Sequence, residues 1–372
     1  MIPLRLRALT LVCALAAALA VALPARAHAL VVNCGDTLTG SVTLTADLTC
    51  AGHALTVDAD NVTIDLNGHE IIGNGTGNAI TVRARKGISV SNGVIRNFAN
   101  GVHASFGSTV VLTGVRLLAA RIYANPGGNV TATGSLSTCA VSGASMSLRS
   151  LLVIQGCRVT GTLSLSESGG SAIRDSVLTD GEITLFQTGG STFTGNVFDD
   201  FPVYNGHDLR SNLWRENEFK NAATAFIARP EYRQDRATIV ENNFFHDNDI
   251  GLHGDGTRNV IVRNNFFALN GTAGMYLTND YPMVSPDALS GNVFVDNGRS
   301  PSGLTDPDGN SVRGGIHIRT TTADPVRRIT IAGNSGSGNG GYMIWAPPGM
   351  VVDGGGNQGP CLPTPNPDLT CY

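Results

Sequence analysis

Thr194-Gly195-Asn196-Val197-Phe198, Arg215-Glu216-Asn217-Glu218-Phe219, Glu241-Asn242-Asn243-Phe244-Phe245, Arg263-Asn264-Asn265-Phe266-Phe267 and Ser290-Gly291-Asn292-Val293-Phe294 are five versions of one phrase. Its central Asn residues stand 21, 26, 22 and 27 positions apart, and each is followed two positions later by Phe. A period near twenty with variable insertions marks a solenoid, in which each repeat buries its apolar side only against its neighbours. A short β-branched or apolar run precedes the phrase, as in Ala237-Thr238-Ile239-Val240 and Val260-Ile261-Val262. Polar turn residues follow it, as in Asp247-Asn248-Asp249 and Asn270-Gly271, and a second strand then opens, usually on Gly. No stretch carries a 3.6-residue periodicity long enough for a helix, so the repeats are strands joined by turns. Stacked coils bring equivalent residues to about 4.8 Å. The Phe residues are therefore expected to form an interior stack, and the Asn residues a ladder of side-chain amides bonded to one another and to turn backbone.

In these features the chain resembles the right-handed parallel β-helix proteins, the pectate-lyase-like superfamily, over nearly all of its length. The resemblance implies an all-β fold, a right-handed parallel β-helix solenoid of about a dozen coils. It specifies architecture rather than chemistry. The expected division is a signal peptide over residues 1–29, the β-helix over 30–358 with an N-terminal cap at 30–60, and a disulfide-pinned tail over 359–372.

The leader reading rests on Arg5 and Arg7 ahead of an apolar run at residues 8–23, with Ala25-Arg26-Ala27 or Ala27-His28-Ala29 as a small-x-small cleavage site. It predicts an exported protein, secreted or periplasmic. No other segment approaches the ~20 apolar residues of a membrane span. Cleavage removes three Arg and no acid, leaving 22 Lys plus Arg against 29 Asp plus Glu, a net charge of −7. Nucleic acid is not an expected partner, and an acidic polymer would need a local basic site. The six Cys outside the leader fall into sequence-local pairs, Cys34 with Cys50, Cys139 with Cys157 and Cys361 with Cys371, as an oxidising compartment favours. None has the spacing of a zinc site, and neither a metal nor a cofactor is expected. The chain is expected to be a monomer.

The strands that follow the Asn-Phe phrases carry the chemistry. They are Ala225-Phe226-Ile227-Ala228-Arg229, Gly251-Leu252-His253-Gly254-Asp255, Gly274-Met275-Tyr276-Leu277-Thr278, Gly315-Ile316-His317-Ile318-Arg319 and Gly341-Tyr342-Met343-Ile344-Trp345, and they align without a gap. Side chains alternate across a strand. With Phe226, Leu252, Met275, Ile316 and Tyr342 inward, one outer column reads Ile227, His253, Tyr276, His317, Met343, and the next reads Arg229, Asp255, Thr278, Arg319, Trp345. The longest insertions, at residues 230–236, 279–287 and 297–313, flank the same coils and are placed to wall a groove.

Such a face suits uronate-containing polysaccharides. β-Elimination or C5-epimerisation needs a group that neutralises the carboxylate while a His or Tyr takes the C5 proton and another donates one. His253, Tyr276 and His317 are the candidate proton carriers and Arg319 or Arg229 the carboxylate clamp, with His253, Tyr276, His317 and Arg319 as the candidate catalytic set. Arg229, Asp255, Thr278, Tyr281 and Trp345 are candidate substrate contacts, with Trp345 and Tyr281 suited to stacking on sugar rings. In the lyases and C5-epimerases of the superfamily that the chain resembles, a His/Tyr/Arg set on an outer parallel sheet is a familiar solution.

The plainer readings are that Arg229 and Asp255 form an ordinary surface ion pair and that the whole strip belongs to a non-catalytic glycan-binding or scaffold β-helix. A glycoside hydrolase fits less well, because it needs two carboxylates at a set separation and the strip offers Asp255, with Asp280 or Asp247 as partners. His103 fits the same outer column many coils away and reads as structural, as do His53, His69 and His207. His246, in the turn before the His253 strand, is peripheral.

Overall fold

The computed structural model describes residues 31–206, 211–229, 237–255, 260–278, 288–319, 328–362 and 366–372. The expected leader, Tyr281, Asp280, His207 and the insertions at 230–236 and 279–287 lie outside the described residues.

The chain is an all-β parallel solenoid of about 13 turns. Each complete coil contributes three short strands, as in Thr238–Glu241, Phe244–His246 and Ile250–Asp255. Each strand pairs in parallel with its counterpart one coil on, at Val260–Arg263, Phe266–Ala268 and Ala273–Thr278. Three parallel faces result, enclosing one continuous apolar core. Pairing begins early: Asp36–Leu38, within the segment expected as a cap, already pairs in register with Leu55–Val57. Among the described residues no helix is long and apolar enough to cross a membrane.

The repeated phrase accounts for the interior. Phe198, Phe219, Phe245, Phe267 and Phe294 stack in sequence, with ring centroids 4.7, 4.6, 4.7 and 4.9 Å apart and planes within 11° of parallel. The glycines that open the neighbouring strands make room for this stack. A Cβ on Gly274 would come to 2.7 Å from the Phe294 ring and 2.8 Å from the Gly315 carbonyl.

The Asn ladder satisfies its members fully. Asn265 Nδ2 donates to Asn292 Oδ1 at 3.0 Å and to the Val240 carbonyl at 2.9 Å. Its Oδ1 accepts from the Asn243 backbone N–H at 2.9 Å and from Asn243 Nδ2 at 3.0 Å. The same pattern runs from Asn196 through Asn217, Asn243, Asn265 and Asn292 to Asn334 and Asn357. The residue before each ladder Asn turns the corner in the left-handed region, as at Glu216, Asn242 and Asn264. A second ladder, Asn248, Asn270, Asn297 and Asn339, occupies the next corner, where the sequence suggested only turn residues. The three expected disulfides form, Cys34–Cys50, Cys139–Cys157 and Cys361–Cys371.

Candidate active site

The candidate strands lie side by side on one face: Thr224–Ala228, Ile250–Asp255, Ala273–Thr278, Gly314–Ile318 and Ile344–Trp345. Their register places Ile227, His253, Tyr276 and His317 in one column, as expected. The last strand departs from the gapless alignment by two residues. Trp345, not Met343, stands opposite His317, and Ile344, not Tyr342, is the inward residue opposite Ile316. The alignment on an opening glycine is what fails: Trp345 stands six residues after ladder residue Asn339, as Tyr276 does after Asn270, so Gly341, in the left-handed region, belongs to the corner.

The column is therefore an aromatic stack. His253 lies on Tyr276 with centroids 5.0 Å apart and planes at 13°, Tyr276 meets His317 edge-on at 5.7 Å, and His317 lies against Trp345 at 5.9 Å. Tyr342, expected inward, lies in the corner and sits against both His317 and Trp345.

Exposure along the column is uneven, which corrects the expectation of one open strip. His317 has no exposed surface, and Tyr276 is 5% exposed. The cover is the 297–313 insertion, whose Val312 packs with Tyr276, Ile250 and Ala273 in a separate apolar cluster. Asp306, from the same insertion, takes His317 Nε2 on its Oδ2 at 3.0 Å, and the Tyr342 hydroxyl meets His317 Nδ1 at 2.8 Å. Both nitrogens of His317 are thus engaged. Asp306 also accepts from the backbone N–H groups of Asp308 and Asn310, so it holds the Asp306-Pro307-Asp308-Gly309 turn and pins it to the sheet. Sequence reading passed over Asp306 and Tyr342. The turn motif was visible, but nothing in it indicates that its first carboxylate reaches a histidine on another element.

His253 differs from His317. The ring is half-buried, and its Nε2, itself buried, has no hydrogen-bond partner among the described residues. Burial pushes its pKa below the ordinary 6.5, and Arg319 and Arg229 add to this against the opposing pull of Asp255. The ring is therefore neutral at neutral pH. Burial raises the Tyr276 phenol, while a hydrogen bond from Arg319 works in the opposite direction. The backbone N–H of Arg319 donates to the Leu277 carbonyl, which fixes the base of that side chain beside Tyr276.

The outer column holds the other candidates. Arg229 and Asp255 form an ion pair at 3.8 Å, both about half exposed. Thr278 is buried, and its hydroxyl donates to the Gly254 carbonyl at 3.1 Å. Trp345 is not in this column but borders a groove of about 330 Å³ on the C-terminal side of the 297–313 insertion, with Arg313 and Tyr342. His246 lies on a different face, between Glu218 at 3.1 Å and Asp247 at 2.6 Å. Asp247 is therefore not a second carboxylate for the strip.

Residues 190–350 match the family model for the right-handed β-helix region, so the solenoid is a right-handed parallel β-helix. No curated protein sequence matches the chain. Similar solved structures include a mutant of the periplasmic alginate epimerase AlgG, at 11% identity over 90% of this chain and 78% of that one, with a TM-score of 0.45. Another is the Azotobacter vinelandii mannuronan C-5 epimerase AlgE4 A-module, at 14% identity over 90% of each chain, with a TM-score of 0.32. A third is the alginate lyase AlyF-OU02, at 12% identity over 82% of this chain and 74% of that one, with a TM-score of 0.31.

Proposed function

We propose that this right-handed β-helix is an exported enzyme that acts on uronate-containing polysaccharide by abstracting the proton at C5. The observation that carries the reading is the stacked His253–Tyr276 pair. A neutral imidazole with an unpartnered nitrogen and a phenol held protonated by burial stand on adjacent coils, beside two arginines. A base, an acid and a carboxylate clamp are the three parts that elimination of a uronate requires.

In this reading Arg319 and Arg229 take the C5 carboxylate, whose neutralisation lets charge develop at C5. The neutral His253 imidazole accepts the C5 proton. The C5 electron pair then forms the C4–C5 double bond as the C4–O4 bond breaks, and the Tyr276 hydroxyl gives its proton to the departing oxygen. Return of a proton to C5 from the opposite face instead gives the epimer by the same first step. His317 takes no proton here. With Asp306 and Tyr342 it is a positioning residue, which fixes the wall against which Tyr276 packs.

Asp255 is bound to Arg229, and Asp306 accepts from His317, so neither stands as a free carboxylate for glycoside hydrolysis. The test is a substrate panel of alginate, pectate, glycosaminoglycans and neutral glucans, followed by ultraviolet absorbance of unsaturated uronates and by proton NMR for C5 inversion. The expected result is a response confined to uronates. Release of reducing ends from a neutral glucan, with no unsaturated product, would overturn the reading.

A further inference from the structure

The column that carries His253 and Tyr276 runs the length of the solenoid. Register pairs place Thr81, His103, Tyr123, Ser145, Ser164, Thr184, Tyr204, Ile227 and His253 on it in unbroken succession. The His–Tyr pair therefore occurs twice. His103 and Tyr123 stand on adjacent coils with ring centroids 5.1 Å apart, against 5.0 Å for His253 and Tyr276. An arginine attends each pair. Arg121, exposed, lies over the Tyr123 ring at 5.8 Å, and its Nε donates to Asn100 Oδ1 at 3.0 Å.

The surroundings of His103 give it a different role from His253. Its Nδ1 accepts from Asn78 Nδ2 at 3.2 Å, while Asn78 Oδ1 accepts from Asn100 Nδ2 at 2.8 Å, which fixes the Asn78 amide orientation. With Nδ1 occupied as an acceptor, the neutral ring carries its proton on Nε2 and presents a donor. Burial and the nearby His53 lower its pKa and keep it neutral. Tyr123 is half-exposed and offers an aromatic face. A fixed N–H donor, a ring face and a free guanidinium edge suit a carboxylated sugar, but the set lacks a base.

We infer that His103, Tyr123 and Arg121 form a remote binding subsite for the same polyuronate chain whose reacting residue lies at His253 and Tyr276. The inference rests on the uronate reading above. Seven coil steps separate the two pairs, roughly 34 Å at the spacing of parallel strands. Of the five positions between them on the column, Ser145, Ser164, Thr184 and Tyr204 are half-exposed and carry hydroxyl groups, and Ile227 next to His253 is apolar. A chain lying along this face meets hydrogen-bonding side chains between the sites, and its far end gains affinity through linkage to the near one.

Affinity electrophoresis through gels containing alginate or pectate, paired with turnover on the same polymers, tests this. Arg121→Ala and Tyr123→Ala are expected to weaken retardation by roughly tenfold, about one charge-assisted hydrogen bond. Tyr123→Phe retains most of the retardation, because the ring face is kept. His253→Ala lowers turnover by at least about a hundredfold but retains retardation. Retardation unaltered in the Arg121→Ala/Tyr123→Ala double variant, or a wild-type protein that neither polymer retards, would overturn the subsite. Retardation that depends on Arg121 with no turnover by the wild type would support the subsite and refute the catalytic reading.

Discussion

His253 and His317 occupy equivalent positions two coils apart, yet their chemistry diverges because of what covers them. His317 is closed in by Asp306 and Tyr342, whereas His253 keeps an unpartnered Nε2. If His253 is the base, His253→Ala lowers kcat by about 10²–10⁴, the range for loss of a general base. Activity also depends on its neutral form. As its pKa lies below 6.5, the acid limb of kcat/KM is expected below that value, with activity lost as pH falls through it. Arg319 is tested by Arg319→Lys. A lysine keeps the charge but not the planar fork, so KM for a uronate polymer stays well above the wild-type value.

At the scale of the element, the coil is held by its corners as much as by its core. Asn265→Ala leaves the Asn243 backbone N–H and Nδ2 without their acceptor and the Val240 carbonyl without its donor. The expected loss is about 3–5 kcal/mol of stability, read by denaturant unfolding. The phrase that builds this ladder is local, with one Asn and one Phe at fixed spacing. For that reason the ladder, the Phe stack and the first four strands of the site column were legible in the sequence. The fifth strand was not. Gly341 looks like the glycines that open the other strands, but it lies two residues after ladder residue Asn339 where Gly274 lies four after Asn270, so Gly341 and Tyr342 belong to the corner and the strand proper starts later. Asp306 was illegible for a related reason, since the insertion folds back on itself before it reaches His317, and residue spacing does not encode such a contact. Asp306→Asn weakens the pin between insertion and sheet. The prediction is faster proteolysis within residues 297–313, while the solenoid itself resists.

Across the whole molecule, the histidines of the long column respond to pH together. His103, His253 and His317 all have pKa values lowered by burial from 6.5, so the unfolded chain binds more protons than the folded one between those lowered values and 6.5. Their contribution to stability is complete above about 6.5 and is lost as pH falls from there toward the lowered folded values. The unfolding temperature is therefore expected to drop between pH 7 and 5, and the His317→Gln variant to show a shallower drop. The fold and the three disulfides were readable at this scale because they follow from a repeat and from Cys locality. The recurrence of the His–Tyr pair was only half readable. His103 was placed on the column, but its partners Asn78 and Tyr123 became evident only once every coil was in register.

The central claim is that a proton at C5 of a uronate passes to His253. The measurement that tests it most directly is the initial rate of unsaturated-product formation or C5 inversion on the responding polyuronate, by wild type and His253→Ala at matched folding stability. The account predicts at least a hundredfold lower kcat in the variant. A variant that turns over at the wild-type rate would contradict it.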